Sequence, residues 1–490
     1  MSVSRARMER TYAGELARRE LPADGRYVIG VLTTGIYCVP GCPARKPRPE
    51  NVRWFSTPAQ ARAAGLRPCL RCRPDESFEG ANPERDGFEA LLAALRQDPA
   101  AFERPAILSA KSGFGPTKLH EGFRQHFHTT PAAALAAARL ARAEELLAAG
   151  EAVASAAFEA GFATLSTFHD RFRRATGLTP AAFRELGRTP DFVLALPNDF
   201  LAGPTLRSWG RDPGSLTERV DGHRIARTLR TAAGTALLDL ELVNGSARCR
   251  VEADRPLDVG TVRAAHRLAR RTLGLVDGLG AAVDVAAFEQ RVLRDPLTGP
   301  LVATRRGLRI PLTADPFEAL TWAILGQQVN LAFAFTLRRQ VLTLAGAPAP
   351  RGMRAHPTPE EVAALDPADL VRRQLSRSKA RYLVELAAAT ATGELPLEDL
   401  RGAAAGRIEE TLLARRGVGP WTAAYVMLRG YGLRDCVPVG DSGLATALQR
   451  FFGLAERPDV AQTRRLMEPF APYRSFATFH LWNSLGDSPP

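Results

Sequence analysis

No apolar run in this sequence is both long enough and free enough of Arg, Glu and Asp to cross a membrane, and no apolar leader precedes the first recognisable segment. These absences argue against an exported or membrane-anchored chain, and the expectation is a soluble, cytoplasmic protein with no membrane partner. Cysteine is scarce, with six residues in 490, and Cys249 and Cys436 stand alone. So few thiols do not make a disulfide framework, and the solitary ones fit a reducing compartment. Lysine is scarcer still, since nearly all the positive charge is arginine. With the richness in alanine this fits a coding bias, so charge is weighed together with the motifs. That charge is nonetheless large. There are 65 basic against 52 acidic residues, a formal +13, and the sequence pI is near 10.0. A basic chain of this size points to nucleic acid or another anionic surface. At 490 residues it is too long for one ordinary domain and fits three or four, each able to bury a core.

Four of the six cysteines are concentrated in one stretch. Cys38, Cys42, Cys69 and Cys72 have the spacing C-x3-C-x26-C-x2-C, in which two chelating loops grip one tetrahedral ion. Thiolates select zinc, so one Zn(2+) per chain is expected. The spacing speaks for metal; for chemistry it is weak, because four-cysteine sites are mostly closed and structural. The surrounding residues say more: Thr33-Thr34-Gly35-Ile36-Tyr37-Cys38, Pro40-Gly41-Cys42-Pro43-Ala44-Arg45, and Gly65-Leu66-Arg67-Pro68-Cys69-Leu70-Arg71-Cys72. Over residues 5 to 76 this closely resembles the N-terminal domain of the Ada family of DNA alkylation-response proteins. The resemblance implies that Cys38 irreversibly accepts a methyl group from a DNA methylphosphotriester, while Cys42, Cys69 and Cys72 hold the metal with it. A zinc-bound thiolate is a nucleophile without a general base. Methylating it removes negative charge beside a phosphate backbone and tightens DNA binding. Thr34, Arg45, Arg67 and Arg71 are the expected DNA contacts, a solvated basic surface being the bland alternative for any one arginine.

Beyond a polar stretch from Glu76 to Asp86, apolar residues recur at helical spacing through Phe88, Leu91, Leu92 and Leu95. Two similar phrases follow, one with Gly113-Phe114 before Pro116-Thr117, the other with Gly161-Phe162 before Leu165. A Gly-Phe turn between a short apolar helix and a second helix fits helix-turn-helix geometry, with Leu135 to Ala149 as a long helix between the units. The second phrase resembles the AraC-type regulator signature and the first is a fainter copy. On that resemblance Thr117, Lys118 and Glu121 face one major groove and Thr164, Ser166 and Arg171 the next; a helical connector is the alternative.

Residues 188 to 195 read as a linker. Ala236 to Val243, Asn244-Gly245 and Ala247 to Ala253 then read as a hairpin, and Asp258 to Leu273 as a covering helix. From Pro316 the chain reads as wholly helical. Arg415-Arg416-Gly417-Val418-Gly419-Pro420-Trp421 has the form of a helix-hairpin-helix, both glycines permitting a tight turn and the following helix offering free N–H groups to a phosphate. Asp441 lies twenty-two residues beyond Gly419. This hairpin-then-Asp spacing resembles the HhH-GPD superfamily of base-excision glycosylases, and the wider match from Asp191 onward is to the AlkA-type 3-methyladenine glycosylase II. The resemblance implies Asp441 as the catalytic carboxylate, Trp421, Tyr425 and Trp482 as the base pocket, and Gly417 and Gly419 on the DNA backbone. It also implies Gln327 or Gln328 as a wedge into the vacated stack, and a monovalent cation on the carbonyls of Leu413, Arg415 and Val418. Core packing is the alternative for the aromatics and helix capping for Asp441. Ser442 and Asn483 depart from aromatic residues the family often has. Trp421 stands where bifunctional members carry a Schiff-base lysine, so monofunctional hydrolysis without strand cleavage is expected. The Pro-Cys-His-Arg site that often ends Ada-family chains is absent, and no O6-methylguanine repair is assigned.

The expected architecture is multi-domain α+β. It comprises a small zinc domain (1–78), an all-α tandem helix-turn-helix domain (82–187), a TBP-like α+β subdomain (191–303) and an all-α helix-hairpin-helix glycosylase domain (304–490). The expected function is DNA alkylation repair with regulation of the response, as a 3-methyladenine glycosylase and a methylphosphotriester-DNA cysteine S-methyltransferase. The partners are alkylated and promoter duplex DNA, with RNA polymerase as a further one, for a nucleoid-associated monomer. One alternative is a transcription regulator with a structural zinc site and an inactive glycosylase-like half. The other is a glycosylase whose helical middle is a DNA-binding tether.

Overall fold

The computed structural model describes residues 27–40, 42, 44, 47–78, 82–103 and 105–487. It divides into two compact units, residues 1–93 and 94–490.

The first unit is built on a four-stranded sheet in the order β3–β1–β2–β4. β1 (Val28–Val31) pairs antiparallel with β2 (Ile36–Cys38) and β3 (Val52–Phe55). After α1 (Pro58–Ala63), capped by Thr57, the two-residue β4 (Arg67–Pro68) joins β2 in parallel. Alternation along β1 sends Val28 to a cluster with Tyr37, Phe55 and Ala61, and Ile29 to one with Tyr27 and Trp54. α2 (Pro74–Phe78) is tied back by the Tyr37 hydroxyl, which donates to Asp75 at 2.7 Å. These clusters are small for a free-standing unit, the circumstance in which a metal contributes folding energy. α3 (Pro83–Gln97) carries the chain across the boundary and buries Phe88, Leu91, Leu92 and Leu95 at the expected spacing.

The second unit opens with α4 (Pro105–Ser112), α5 (Pro116–Phe127), α6 (Pro131–Ala148), α7 (Val153–Glu159), α8 (Leu165–Thr176) and α9 (Pro180–Arg184). The pairs α4–α5 and α7–α8 are the two helix-turn-helix units, with α6 between them. Their turns pass through Gly113 and Gly161 at φ of 72° and 89°; a Cβ on Gly161 would lie 2.9 Å from the Ala100 Cα.

The expected linker at 188–195 is corrected: Asp191–Ala195 is strand β5, the edge of a five-stranded antiparallel sheet ordered β5–β9–β8–β7–β6. Phe192 and Leu194 point inward while Asp191 and Val193 stay exposed, an alternation too short to stand out in sequence. Between them come α10 (Ala202–Trp209), β6 (Glu218–Asp221), β7 (Arg224–Thr231), β8 (Gly234–Val243) and β9 (Ser246–Ala253). The Asn244-Gly245 turn has φ of 49° and 69°. α11 (Val259–Thr272), capped by Asp258, covers the sheet, and α12 (Val285–Leu293) follows.

The remainder is helical: α13 (Pro316–Gly326), α14 (Leu331–Ala345) and, further on, α15 (Pro359–Ala363), α16 (Pro367–Arg372), α17 (Arg377–Ala391), α18 (Ala405–Leu413), α19 (Pro420–Arg429), α20 (Ser442–Phe452), α21 (Val460–Met467) and α22 (Arg474–Ser484). The expectation of an all-helical region has one correction, a ribbon of β10 (Ala347–Ala349) and β11 (Met353–Ala355). It forms by docking on the sheet: Ala349 and Met353 bury against Leu237, and the Thr235 hydroxyl donates to the Pro348 carbonyl at 2.7 Å. Among the described residues no helix is long and apolar enough to cross a membrane.

One apolar core serves the helical region around α13–α22, and another runs without a break from α6–α9 into the sheet and α11. His266 of α11 lies in that second core, its Nε2 2.8 Å from the Thr176 carbonyl at the end of α8. Burial lowers its pKa to about 3, and that of His480 on α22 to about 3 as well. Histidines with depressed folded pKa values contribute stability that is complete above the unfolded value near 6.5 and is lost as pH falls toward the folded one. Chemical denaturation at pH 7 and pH 5 is expected to show a loss of about 2 kcal/mol per such histidine at the lower pH, with His266→Gln and His480→Gln each flattening the dependence.

Candidate functional site

In the first unit, parallel pairing of Tyr37 with Pro68 sets the end of β2 beside the end of β4 and so brings the two cysteine pairs together. The turns are held by the Cys69 N–H donating to the Tyr37 carbonyl at 3.0 Å and the Cys42 N–H donating to that of Val39 at 3.1 Å. All four sulfurs lie within 4.8 Å of one another, and Cys42 and Cys69 are 3.8 Å apart. Zinc–sulfur bonds of about 2.3 Å in a tetrahedron require sulfurs about 3.8 Å apart, so the donor set fits one zinc ion. Hydrogen bonds from Cys38 and Cys72 hold the Cys42 thiol far below its usual range, and the same contact pushes Cys38 up; four sulfurs this close cannot all ionise without a cation among them. Cys42, Cys69 and Cys72 are buried and Cys38 is half-buried, leaving Cys38 the most accessible sulfur of the four. Thr34, Arg67 and Arg71 are exposed on this unit, and Arg45 lies outside the described residues.

On the helix-turn-helix pair, Thr117 and Glu121 of α5 and Ser166 of α8 are exposed, and Lys118 is half-buried. Thr164 is the N-cap of α8: its hydroxyl oxygen accepts from the Thr167 N–H at 3.3 Å and the group donates to the Thr167 hydroxyl at 3.0 Å. Arg171 is exposed and borders a basic cleft of about 410 Å³ with Arg124 and Arg174, whose far wall includes Ala287 and Tyr473.

A cleft of about 1330 Å³ opens at the helix-hairpin-helix formed by α18 and α19. Gly417 has φ of 87°, and a Cβ there would lie 2.5 Å from the Tyr382 ring. Gly419 has an ordinary φ of −98° and open space around it, so of the two glycines read as permitting the turn, Gly417 is the one whose backbone requires glycine. Gly419 leaves the start of α19 uncovered. Gln327 and Gln328 part company here. The Gln327 amide donates to the Gly417 carbonyl and to the Thr422 hydroxyl, both at 2.9 Å, and so ties α13 to the hairpin. Gln328 is exposed, at φ of 53°.

Asp441 sits in the cleft at the start of α20. Its Oδ2 accepts from the Trp421 indole at 2.9 Å, and its Oδ1 accepts from the Trp482 indole at 3.0 Å and from the Leu444 N–H at 2.7 Å. Capping and a cleft-facing carboxylate therefore coexist. Trp421 stacks on Tyr425 with ring centres 5.7 Å apart, and Tyr425 meets Trp482 at 6.3 Å. Burial raises the Tyr425 phenol pKa. Ser442 is exposed at the rim, while Asn483 is buried and donates to the Phe479 carbonyl at 2.8 Å. Burial also raises the Cys436 thiol, which suits packing. The sequence reading missed the opposite wall, where Trp322 meets Phe335 at 5.0 Å and Arg211 and Arg429 line the cleft. These residues come from α13, α14, the α10–β6 connection and α19, and no local spacing marks them.

Three family models match the chain: the metal binding domain of Ada over residues 12–75, a helix-turn-helix domain over 108–186, and the HhH-GPD superfamily base excision DNA repair protein over 321–472. The "Probable bifunctional transcriptional activator/DNA repair enzyme AlkA" of Mycobacterium tuberculosis is 32% identical over 519 residues, covering 97% of this chain and 96% of that protein. The bifunctional transcriptional activator/DNA repair enzyme Ada of Escherichia coli is 35% identical over 173 residues, 34% of this chain and 47% of that protein. Among solved structures, a 3-methyladenine DNA glycosylase from Archaeoglobus fulgidus matches 59% of this chain and 97% of its own at a TM-score of 0.51 and 19% identity, a likeness of fold.

The contrast between the two hairpin glycines is testable. Gly417→Ala is expected to destabilise the chain by about 1–3 kcal/mol through the left-handed backbone and the Tyr382 clash, and Gly419→Ala by under about 0.5 kcal/mol, as read from urea denaturation midpoints.

Proposed function

This chain belongs to the family of bifunctional transcriptional activator/DNA repair enzymes, and from that membership we propose that it removes alkylation from DNA by two separate chemistries and regulates transcription through its helix-turn-helix pair. The observation that carries the excision half is Asp441, a carboxylate aimed by two indole N–H groups inside an aromatic cleft at the mouth of a helix-hairpin-helix. A purine alkylated at N3 or N7 is cationic and a good leaving group, so the site needs little acid catalysis. It must extrude the nucleotide and hold an electron-poor base against Trp421, Tyr425 and Trp482. As the glycosidic C–N bond breaks, its electron pair neutralises the departing base. Asp441 stabilises the oxocarbenium sugar and takes the proton of the water whose oxygen bonds to the anomeric carbon. Free base and an abasic site result. Gly417, Gly419 and the open start of α19 hold the DNA backbone. The carbonyls of Leu413, Arg415 and Val418 are the candidate seat of a monovalent cation there. Gln328, the exposed member of the pair, is the better wedge, and Gln327 positions the hairpin.

In the first unit Cys38 is the methyl acceptor. Its sulfur attacks the methyl carbon of a DNA methylphosphotriester, the C–O bond breaks, and the pair stays on the phosphate oxygen, leaving an uncharged thioether. Cys38, Cys42, Cys69 and Cys72 would hold the zinc, which when bound keeps the sulfurs ionised at neutral pH. Thr34, Arg45, Arg67 and Arg71 contact the backbone. Loss of the Cys38 charge beside phosphates tightens DNA binding and so reports damage. Thr117, Lys118, Ser166 and Arg171 then meet promoter DNA, Thr164 orienting α8 through its cap, and RNA polymerase is the partner an activator requires. The segments 1–78, 82–187, 191–303 and 304–490 divide this labour within a monomer.

Incubating methylated duplex DNA with the wild-type chain is expected to release free methylated bases, while Asp441→Asn lowers release by roughly a hundredfold or more. Both proteins should gain the mass of one CH2, and Cys38→Ala should not. Absence of base release with the mass gain kept would reduce the C-terminal half to DNA binding. Because Trp421 stands at the Schiff-base position, borohydride treatment on abasic duplex should trap no covalent protein–DNA adduct; an adduct would overturn the monofunctional assignment.

A further inference from the structure

Behind the catalytic cleft lies a second cavity of about 720 Å³, walled by β7, α11 and the segment from Val276 to Gly280, with Asp315, His356 and Arg401 opposite. It shares Glu318 with the catalytic cleft and is otherwise distinct from it. Its lining is dominated by guanidinium groups. Arg227, Arg230, Arg270 and Arg401 each have a carboxylate partner, in Glu318, Glu361, Glu144 and Glu398 respectively. Arg96, Arg267 and Arg271 also line the cavity, and among the described residues none of the three has a carboxylate within ion-pair distance.

The acidic groups present do not answer this excess. Asp277 is engaged by Arg434 and by the N–H groups of Leu279 and Ala281 at 2.9 Å, and Asp315 caps α13 through the Glu318 N–H at 2.7 Å. The Arg271 side chain is held by two carbonyls, Nε donating to Thr313 and Nη2 to Gly430, both at 2.6 Å. Those bonds fix its direction and supply no countercharge. Burial and the neighbouring Arg401 lower its pKa to about 9. Arg96 is likewise met by a carbonyl, that of Arg401 at 3.3 Å. Among the described residues the buried Nε groups of Arg227, Arg230 and Arg270 have no acceptor. Arg271, half-buried and met only by carbonyls, is the cation that a bound anion would relieve, and the exposed Arg96 and Arg267 add charge beside it.

Guanidinium forks match the oxygens of phosphate in pairs, and the volume falls within the range of about 300–1,000 Å³ usual for small-molecule sites. Arg227 and Arg270 on its walls are only 2% and 5% exposed, too deep for a duplex backbone to reach, whereas Arg96 and Arg267 are exposed at its mouth. We propose that this cavity is a binding site for a free polyphosphate anion of nucleotide size, with Arg96, Arg267 and Arg271 supplying the uncompensated charge. The site is separate from both repair centres and does not depend on the function assigned to either.

Titration calorimetry of the full chain with inorganic tripolyphosphate, at constant ionic strength, tests this. Wild type is expected to bind one equivalent saturably. The paired change Arg96→Gln and Arg267→Gln, at two exposed positions, should weaken binding at least about tenfold while leaving the melting temperature of the free protein in place. Arg372→Gln, a surface control, should leave binding unchanged, and a deoxynucleoside triphosphate should displace the probe. No saturable binding, equal binding by the double variant, or displacement by duplex DNA instead of the nucleotide would each overturn the proposal.

Discussion

Apolar contact between the second helix-turn-helix unit and the five-stranded sheet governs the second unit. Phe168, Phe172 and Phe183 on α8 and α9 belong to the same buried cluster as Phe192 and Leu194 on β5 and Val262 and Leu268 on α11. Cores at close-packed density do not slide, so elements that share one move together. His266 and Thr176 add a hydrogen bond at the same junction, and the Ala195 N–H donates to the Gly177 carbonyl at 2.8 Å. Helix α8 is thereby carried by the sheet whose strand β6 lends Glu218 to the cleft that holds Asp441. This explains why Arg171, though exposed, borders a cleft closed by residues of the C-terminal region.

Within the cleft, the hairpin turn and the Asp441 carboxylate are joined through few atoms. Gln327 reaches the Gly417 carbonyl in the hairpin turn and the Thr422 hydroxyl on the helix that carries Trp421. Trp421 in turn donates to Asp441, which caps α20. The hairpin turn is thus linked through Gln327 and Thr422 to the helix whose indole orients the carboxylate. Such pre-set hydrogen bonds hold the carboxylate in one direction without later reorganisation. In the zinc unit the economy is similar: one parallel pairing between β2 and β4 sets the separation of the four sulfurs, and the small clusters on either side of β1 leave much of the unit's cohesion to that site.

Local signals were legible where the physics is local. Cysteine spacing announced a metal site, Gly-Phe turns announced the paired helix-turn-helix, and Asn244-Gly245 announced a hairpin, because each depends on a handful of adjacent residues. Strand β5 has only two inward-facing residues, too few to distinguish it from a linker in sequence, and β10–β11 carries no local signal because it is stabilised by docking on Leu237 and Thr235, more than a hundred residues earlier. The two hairpin glycines look equivalent in sequence, yet only Gly417 has a left-handed backbone and only there would a Cβ meet a neighbour, the Tyr382 ring.

The sequence by itself determined which chemistries this protein has at its disposal: four thiolates at chelating separation, a hairpin that ends in a free helix start, and a carboxylate at a set distance beyond it. These are covalent spacings, and chain geometry alone constrains them. Tertiary structure decided what those groups meet. It left Cys38 more accessible than its three neighbours, tied Gln327 to the hairpin while Gln328 stayed exposed, and joined two indoles on Asp441. It also gathered arginines from β7, α11 and distant helices around one cavity. Burial and countercharge are properties of the assembled interior, set by residues far apart in the chain, and no local pattern encodes them.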